Sequence, residues 1–392
     1  MRELLYELSG YRQKKDAIWV IWGMADRGVE LLKYIRKLDT QTVYFADNDV
    51  RKQGKSIEGI ICISREEVEK IADECVILVA SYRNTDLYED LHNSFPHVIP
   101  DIIFEILNFY PKAHGFNGFM PLGHFYSQYP DMDKIEKKRD LLYRIDKAVK
   151  DIDFNVEGQW TLLKQMKELL ASIPKWTGKA DYANSIYRYH TDTAAFCVPD
   201  ATCLHLMLRI LKPNRLIEVG SGWSSAVTLD TNEFYFNKEM RVSFIEPYPK
   251  ALNRILKAED QYEIKCCGLE DVELEYFEQL EKGDVLFIDS THVSKIGSDV
   301  NYLLFEILPR LKKGVFIHFH DIFYPFEYPY NWIKKEGWIW NELYMLRSFL
   351  MNNKDYKIIF FFDYLTKMHA DKIWDCLHME NPSGGSFWIE KV

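Results

Sequence analysis

The stretch Arg215–Val227, RLIEVGSGWSSAV, limits the fold of this chain more than any other. A short apolar segment runs into Gly220-Ser221-Gly222 and then into small hydroxyl residues and a second apolar segment. That order describes a buried strand, a loop whose backbone can approach a ligand closely, and the start of a helix. A strand buried on both faces needs parallel neighbours and covering helices, so the unit implies a doubly wound α/β sheet. The neighbours follow in RVSFIEP, EIKCCGLEDVELEYF, GDVLFIDSTH and GVFIHFHDIF. These four strands end near Glu246, Asp271, Asp289 and the pair His320-Asp321.

A second glycine loop stands near the start, in VIWGMADRGVELL. It follows G-x-G-x-x-G from Gly23 to Gly28, except that Ala25 takes the central position where a pyrophosphate comes closest. Asp47 ends the next strand 24 residues after Gly23, where an acid can hold a ribose diol. Further strands are expected at GIICIS and CVILVAS, with Ser64 and Glu67 forming a capping box between them. Residues 1–110 therefore read as a Rossmann-like nucleotide-binding-type domain, with a ligand-free retained fold as the alternative. Residues 111–180 read as a Gly/Pro/aromatic linker followed by two helical stripes: Ile135, Leu142, Ile145, Val149, then Leu162, Leu163, Met166, Leu169, Leu170. Residues 181–392 read as the second sheet domain.

Bulk composition narrows the partners. A chain of 392 residues with 47% hydrophobic and 28% charged residues is globular and suited to two domains. A net charge of −10 without a basic block argues against nucleic acid as a ligand. Seven cysteines without a CxxC pair suggest reduced thiols and a cytoplasmic setting. No stretch has the length and apolarity of a signal peptide or a membrane span.

The acid at the end of the glycine-loop strand decides between ligands. Glu218 lies two residues before Gly220, and a carboxylate there suits a cationic ligand better than a pyrophosphate. S-adenosylmethionine carries an ammonium and a sulfonium. Glu246, 26 residues past Gly220, stands where a ribose diol would be held. In open α/β sheets the ligand lies outside the carboxyl ends of the strands, and Glu218, Glu246, Asp289, His320 and Asp321 all fall on that edge.

From about residue 181 the chain resembles class I S-adenosylmethionine-dependent methyltransferases, close to small-molecule and sugar O-methyltransferases. IEVGSGWSSAVTLDTN, FIEPYP, FIDSTHVSKIGSDVNYLLFEILPRLKKGVFIHFHDIFYPFEYP and WNELYMLRSFL carry the likeness, with FYSQYPDMD and IDFNVEGQW as a helical lead-in. The resemblance implies a seven-stranded sheet closed by a terminal antiparallel hairpin from YKIIFFF and GGSFWIEK. It places the donor on Glu218, Gly220, Gly222 and Glu246, with Asp271 near the adenine; Ser221 of the loop and Asp289 are further candidate donor contacts. For the chemistry, His320 is the expected base, His292 its rival, and Asp321 the residue that orients it. His318 reads as a core histidine. Asp289 and Asp321 could instead share Mg2+, although Ile322 stands where relatives add a third oxygen ligand. The expected acceptor is a carbohydrate or small metabolite. The aromatic run IFYPFEYPYNW is expected to wall the acceptor, contact a second copy in a homo-oligomer, or simply pack. An NAD(P)-dependent oxidoreductase or sugar-nucleotide-binding role for the first domain, and a non-catalytic donor-binding scaffold, are the competing functions.

Overall fold

The computed structural model describes residues 5–6, 9–11, 16–36, 42–80, 85–100, 127–146, 149–179, 185–193, 195–379 and 382–392. The linker expected at 111–126 lies outside them. The chain divides into two compact units, Met1–Met132 with Tyr330–Trp338, and Asp133–Pro329 with Ile339–Val392. It is a mixed α/β protein with one sheet of six strands and another of seven.

In the first unit the strands are β1 (Ile18–Trp22), β2 (Val43–Ala46), β3 (Ser56–Ile57), β4 (Ile60–Ile63), β5 (Cys75–Val79) and β6 (Val98–Pro100). They lie in the order β3-β4-β2-β1-β5-β6, and all pairs are parallel except β3 with β4. Alternate residues of β1 feed opposite faces. Trp19 and Ile21 pack with Leu31, Leu32 and Ile35 of α1 (Asp26–Ile35). On the other face, Val20 and Trp22 pack with Val68 of α2 (Arg65–Glu69) and with Leu91 and Phe95 in and after α3 (Thr85–Ser94). The capping box forms as its sequence implies: Ser64 Oγ accepts from Glu67 N, and Ser64 N donates to Glu67 Oε2 at 2.7 Å.

The second unit begins with a departure from expectation. The stripe Ile135–Val149 is not one helix but two short ones, Met132–Lys137 and Arg139–Leu142. Leu141 and Ile145 stay exposed, so no buried face sustains a longer helix. The next stripe does form α4 (Val156–Glu168), which buries Leu163 and Met166. After α5 (Val198–Leu211) come β7 (Arg215–Val219), α6 (Trp223–Tyr235), β8 (Arg241–Ile245), β9 (Glu263–Lys265), β10 (Val285–Ile288) and β11 (Phe316–Phe319). Then α7 (Glu342–Leu350) leads to β12 (Tyr356–Phe361), α8 (Phe362–Met368), α9 (Ala370–Leu377) and β13 (Phe387–Lys391). The strand order is β12-β13-β11-β10-β7-β8-β9. Only β13 runs antiparallel to its neighbours. The last two strands are therefore an antiparallel pair, but α8 and α9 separate them, so they are not a tight hairpin.

The main core of this unit joins Leu204, Met207 and Leu208 of α5 to Ala226 and Val227 of α6 and to Phe244, Phe287 and Trp388 of the sheet. Each large side chain fully buried there contributes roughly 1.5–3 kcal/mol. The aromatic run after β11 is interior: Phe323, Tyr324, Phe326 and Tyr328 are all buried. Phe326 packs edge-on against Phe361 at 5.6 Å, and Tyr324 against Tyr364 at 5.1 Å. Packing therefore accounts for these rings, because burying that much apolar surface outweighs leaving it wet as a wall or a dimer face. No helix among the described residues is long and apolar enough to cross a membrane.

Candidate active site

Four strand exits on one edge of the seven-stranded sheet are pinned to one another. Gly220 N donates to Ile245 O, Glu246 N to Lys265 O, Asp289 N to Val219 O and His320 N to Ile288 O, all at 2.9–3.0 Å. The side chains that leave there thus have fixed neighbours. Gly220 has φ +79°, and a Cβ on it would lie 1.7 Å from Asp289 O. Only glycine fits that turn. Gly222 differs, since nothing lies within 4 Å of where its Cβ would stand. That open side leaves room for a ligand to approach the start of α6.

Glu246 accepts from Ser221 N at 2.9 Å and from Tyr248 N at 2.8 Å, which sets its carboxylate against the glycine loop. Glu218 is fully buried on β7. Its Oε1 accepts from Ser224 Oγ (2.6 Å) and Ser225 Oγ (2.8 Å) of α6, whereas Oε2 has no partner. Burial pushes its pKa up to about 8, against the pull of the two hydroxyls. A buried carboxylate oxygen without a donor is costly unless a ligand supplies one. Ser221 Oγ is likewise buried and unpartnered.

Beyond β10 the chain turns through His292, which adopts φ +59°. Its Nδ1 lies 2.8 Å from Glu342 Oε2, and its Nε2 lies 3.4 Å from Asp289 Oδ1 and 3.8 Å from Asp321 Oδ2. The backbone fixes this meeting, because His292 O accepts from both Asn341 N (3.0 Å) and Glu342 N (3.1 Å). Trp340 covers the imidazole at 4.4 Å. Burial alone would lower the His292 pKa, but the hydrogen bonds to Asp289 and Glu342 hold it well above the ordinary value. Burial would raise that of Asp289, yet the neighbouring His320 and His292 keep it low. Asp321 also has a left-handed backbone, at φ +60°. Two such residues, neither glycine, mark a constrained corner of the kind found at functional sites.

His320 stands behind this corner. Its Nε2 lies 3.6 Å from Asp321 Oδ1 and 3.9 Å from Asp200 Oδ2, and its Nδ1 is buried without a partner. Asp200, on α5, is held by Gly385 N and Ser386 N from the segment before β13. His318 stacks on Phe287 at 4.1 Å and meets Trp388 edge-on, a core position where burial drives its pKa well down.

Residues 217–322 match the family model for a methyltransferase domain. That segment holds the glycine loop, Glu246, Asp289, His292, His320 and Asp321. An uncharacterized protein of Archaeoglobus fulgidus is 31% identical over 170 residues, covering 41% of this chain and 74% of that protein. Among solved structures, the O-methyltransferase TomG of Streptomyces achromogenes, in complex with S-adenosylmethionine, aligns at 11% identity. The alignment covers 66% of this chain and 96% of that one, with a TM-score of 0.32. The plantazolicin methyltransferase BamL, bound to a desmethyl analog and S-adenosylhomocysteine, aligns at 11% identity over 61% and 99%, with a TM-score of 0.34.

Residues 217–322 are a methyltransferase domain. The features of the loop fit the S-adenosylmethionine expected from the sequence: an orphaned buried carboxylate oxygen on Glu218, open space at Gly222 and a preset carboxylate on Glu246. Asp271 is less integrated. It is exposed at the end of a short turn after β9, and among the described residues its side chain has no hydrogen bond to the loop.

Reading the sequence did not find Glu342 or Asp200 in the methyltransferase. Each had a signal. Glu342 is in phase with Leu346 and Leu350, and Asp200 with Leu204 and Leu208, all of them buried. An acid on the apolar stripe of a helix is a buried acid, and buried acids need a reason.

Proposed function

We propose that this methyltransferase methylates a hydroxyl oxygen of a small acceptor, a sugar, a nucleotide sugar or another hydroxylated metabolite, with His292 as the base. S-adenosylmethionine, when bound, supplies a methyl carbon made electrophilic by its sulfonium. Glu218, Gly220, Ser221, Gly222 and Glu246 are the residues that would hold it. The observation that carries the choice of base is the Glu342–His292 hydrogen bond. With Nδ1–H committed to Glu342, Nε2 faces the partly open carboxylates Asp289 and Asp321. It takes the proton of the acceptor hydroxyl only in the neutral form, which its raised pKa confines to alkaline pH. Glu342 then positions the ring and stabilises its charged form, as a carboxylate does in a hydrolase triad. His320 lacks a carboxylate within hydrogen-bond distance, which supports placing it second. The parallel strands and glycine turn of the first unit support reading it as a Rossmann-like domain of the nucleotide-binding type.

A second reading rests on the same corner. Ligand atoms of Asp289, His292 and Asp321 all lie within 4.8 Å of one another, close enough to share a divalent cation such as Mg2+. A cation there would draw and acidify the acceptor hydroxyl, and the base role would pass to His320. Single-turnover assays with the full chain, with and without chelator, separate the two. The first reading expects His292→Ala to lower kcat by about 10²–10⁴, with unchanged affinity for S-adenosylhomocysteine and no effect of chelator. Loss of activity in chelator that Mg2+ restores supports the cation. Full turnover in His292→Ala sinks the first reading.

A further inference from the structure

We propose that the hollow between α8, α9 and the segment Pro382–Ser383 is a carbohydrate-binding subsite, with Trp374 as its stacking platform. It deepens the preceding reading by naming where the acceptor is gripped, and it rests on that reading for the chemistry but not for the binding.

The sheet register puts the hollow at the right edge. Phe319 of β11 pairs with Phe387 of β13, and Phe387 pairs with Phe361 of β12. Because β13 alone is reversed, α8 leaves β12 and the segment before β13 re-enters the sheet at the end where Asp289 and Asp321 stand. Asp363, Thr366, Lys367, Trp374, Met379 and Ser383 are among the residues that line a space of about 630 Å³. That volume is within the range of small-molecule sites and takes one or two sugar rings.

Contacts run from its wall toward His320, which stands behind the catalytic corner. Cys197 Sγ donates to Ser383 O (3.2 Å) and lies 3.1 Å from Asp200 Oδ2, and Asp200 is the acid 3.9 Å from His320. On the other side, Asp363 accepts from the backbone of Tyr324, three residues past Asp321. A ligand in the hollow would lie outside the catalytic corner, where remote contacts can orient an acceptor.

The lining selects the chemistry. Helix α9 buries Ile373 and Leu377, yet Trp374 between them stays 50% exposed. An indole at the mouth of the hollow offers a flat face to a ligand. Around it stand the hydroxyls of Thr366 and Ser383, the carboxylate of Asp371 and the ammonium of Lys367. Lys367 donates to Asp363 Oδ2 and Tyr324 O, both at 2.7 Å, and retains a third N–H. A pyranose matches this set: its C–H face lies on an aromatic ring while its hydroxyls bond a polar rim. A purely aromatic acceptor would leave the rim unused.

Saturation-transfer NMR on the full chain with methyl glucoside, galactoside, mannoside and rhamnoside tests the binding. At least one is expected to show transfer to its ring C–H protons that Trp374→Ala abolishes and His292→Ala leaves intact. S-adenosylhomocysteine affinity reports folding of each variant, and Trp374→Phe should recover part of the signal. For any sugar that is methylated, Trp374→Ala should raise KM about tenfold or more with little change in kcat. Trp374-dependent sugar binding without methyl transfer keeps the subsite and sinks sugar O-methylation. Methylation of a sugar with KM unmoved by Trp374→Ala, or no Trp374-dependent signal from any of the four glycosides, overturns the subsite.

Discussion

The two glycine loops share a plan and differ in how their acids are finished. Each follows a buried parallel strand, each opens a helix, and each is met by a carboxylate from the end of the next strand. Asp47 accepts from Met24 N and Asp49 N and pairs with Lys52 Nζ at 2.7 Å. Three of the roughly four acceptor positions of a carboxylate are thereby filled by the protein itself, and its charge is neutralised. Burial would raise the Asp47 pKa, but Lys52 and the two backbone amides hold it low. Glu246 accepts only from Ser221 N and Tyr248 N, with no cationic partner among the described residues. It keeps both charge and acceptor capacity for a diol. The glycines differ in the same sense. At the central position, where a ligand comes closest, the N-terminal loop carries the Cβ of Ala25, whereas a Cβ on Gly222 would stand in open space. The two loops share a shape and differ in how far the protein itself satisfies the acid beside them.

The severest way to break this contrast is to fill each loop. Gly220→Ala should cost about 100-fold or more in turnover and about 2–4 kcal/mol in stability, because the turn has no room and a positive φ. Gly28→Ala should cost comparable stability but leave turnover per folded molecule within about twofold. Equal losses of turnover would mean that the N-terminal loop also serves the reaction. Removing the acids is the next test. Calorimetry with S-adenosylhomocysteine should show Glu246→Ala binding about 10- to 100-fold more weakly, through loss of charge-assisted bonds worth about 1.5–3 kcal/mol, and Asp47→Ala binding unchanged. The smallest effect concerns Glu218. Its folded pKa of about 8 stands above its ordinary 4.5, so the folded state holds a proton that the unfolded state releases between those values. The stability tied to that proton is complete below pH 4.5 and is lost as pH rises through 8. Urea titrations should therefore find the advantage of Glu218→Gln over the parent growing from pH 5 to 8, on the order of a kcal/mol or more. A pH-independent difference would show that Glu218 stays ionised in the fold.

Much of this was legible in the primary structure. The strands of both sheets announced themselves as apolar runs ending in glycine or acid, and Ser64 with Glu67 marked a helix start that forms as written. The line of Glu218, Glu246, Asp289, His320 and Asp321 followed from one rule about strand ends. Its partners did not. Glu342 lies 50 residues beyond His292 and reaches it only because the chain returns beside the β10 exit, and Asp200 comes from a helix that precedes the whole sheet. The aromatic run after β11 left acceptor wall, dimer contact and packing all open, because sequence shows apolarity but not what covers it. Trp374 hid for the opposite reason, since its helix has enough apolar residues to bury all but one.

By itself, the sequence determined the alternation of strands and helices, the two loops and the edge on which chemistry collects. Those depend on local periodicity and on backbone freedom at a few glycines, which neighbours in the chain already specify. Tertiary structure decided which histidine meets a carboxylate, which acid keeps its charge and which indole is left in water. Each of those depends on distances between segments remote along the chain, and burial, desolvation and hydrogen bonding are properties of such distances alone.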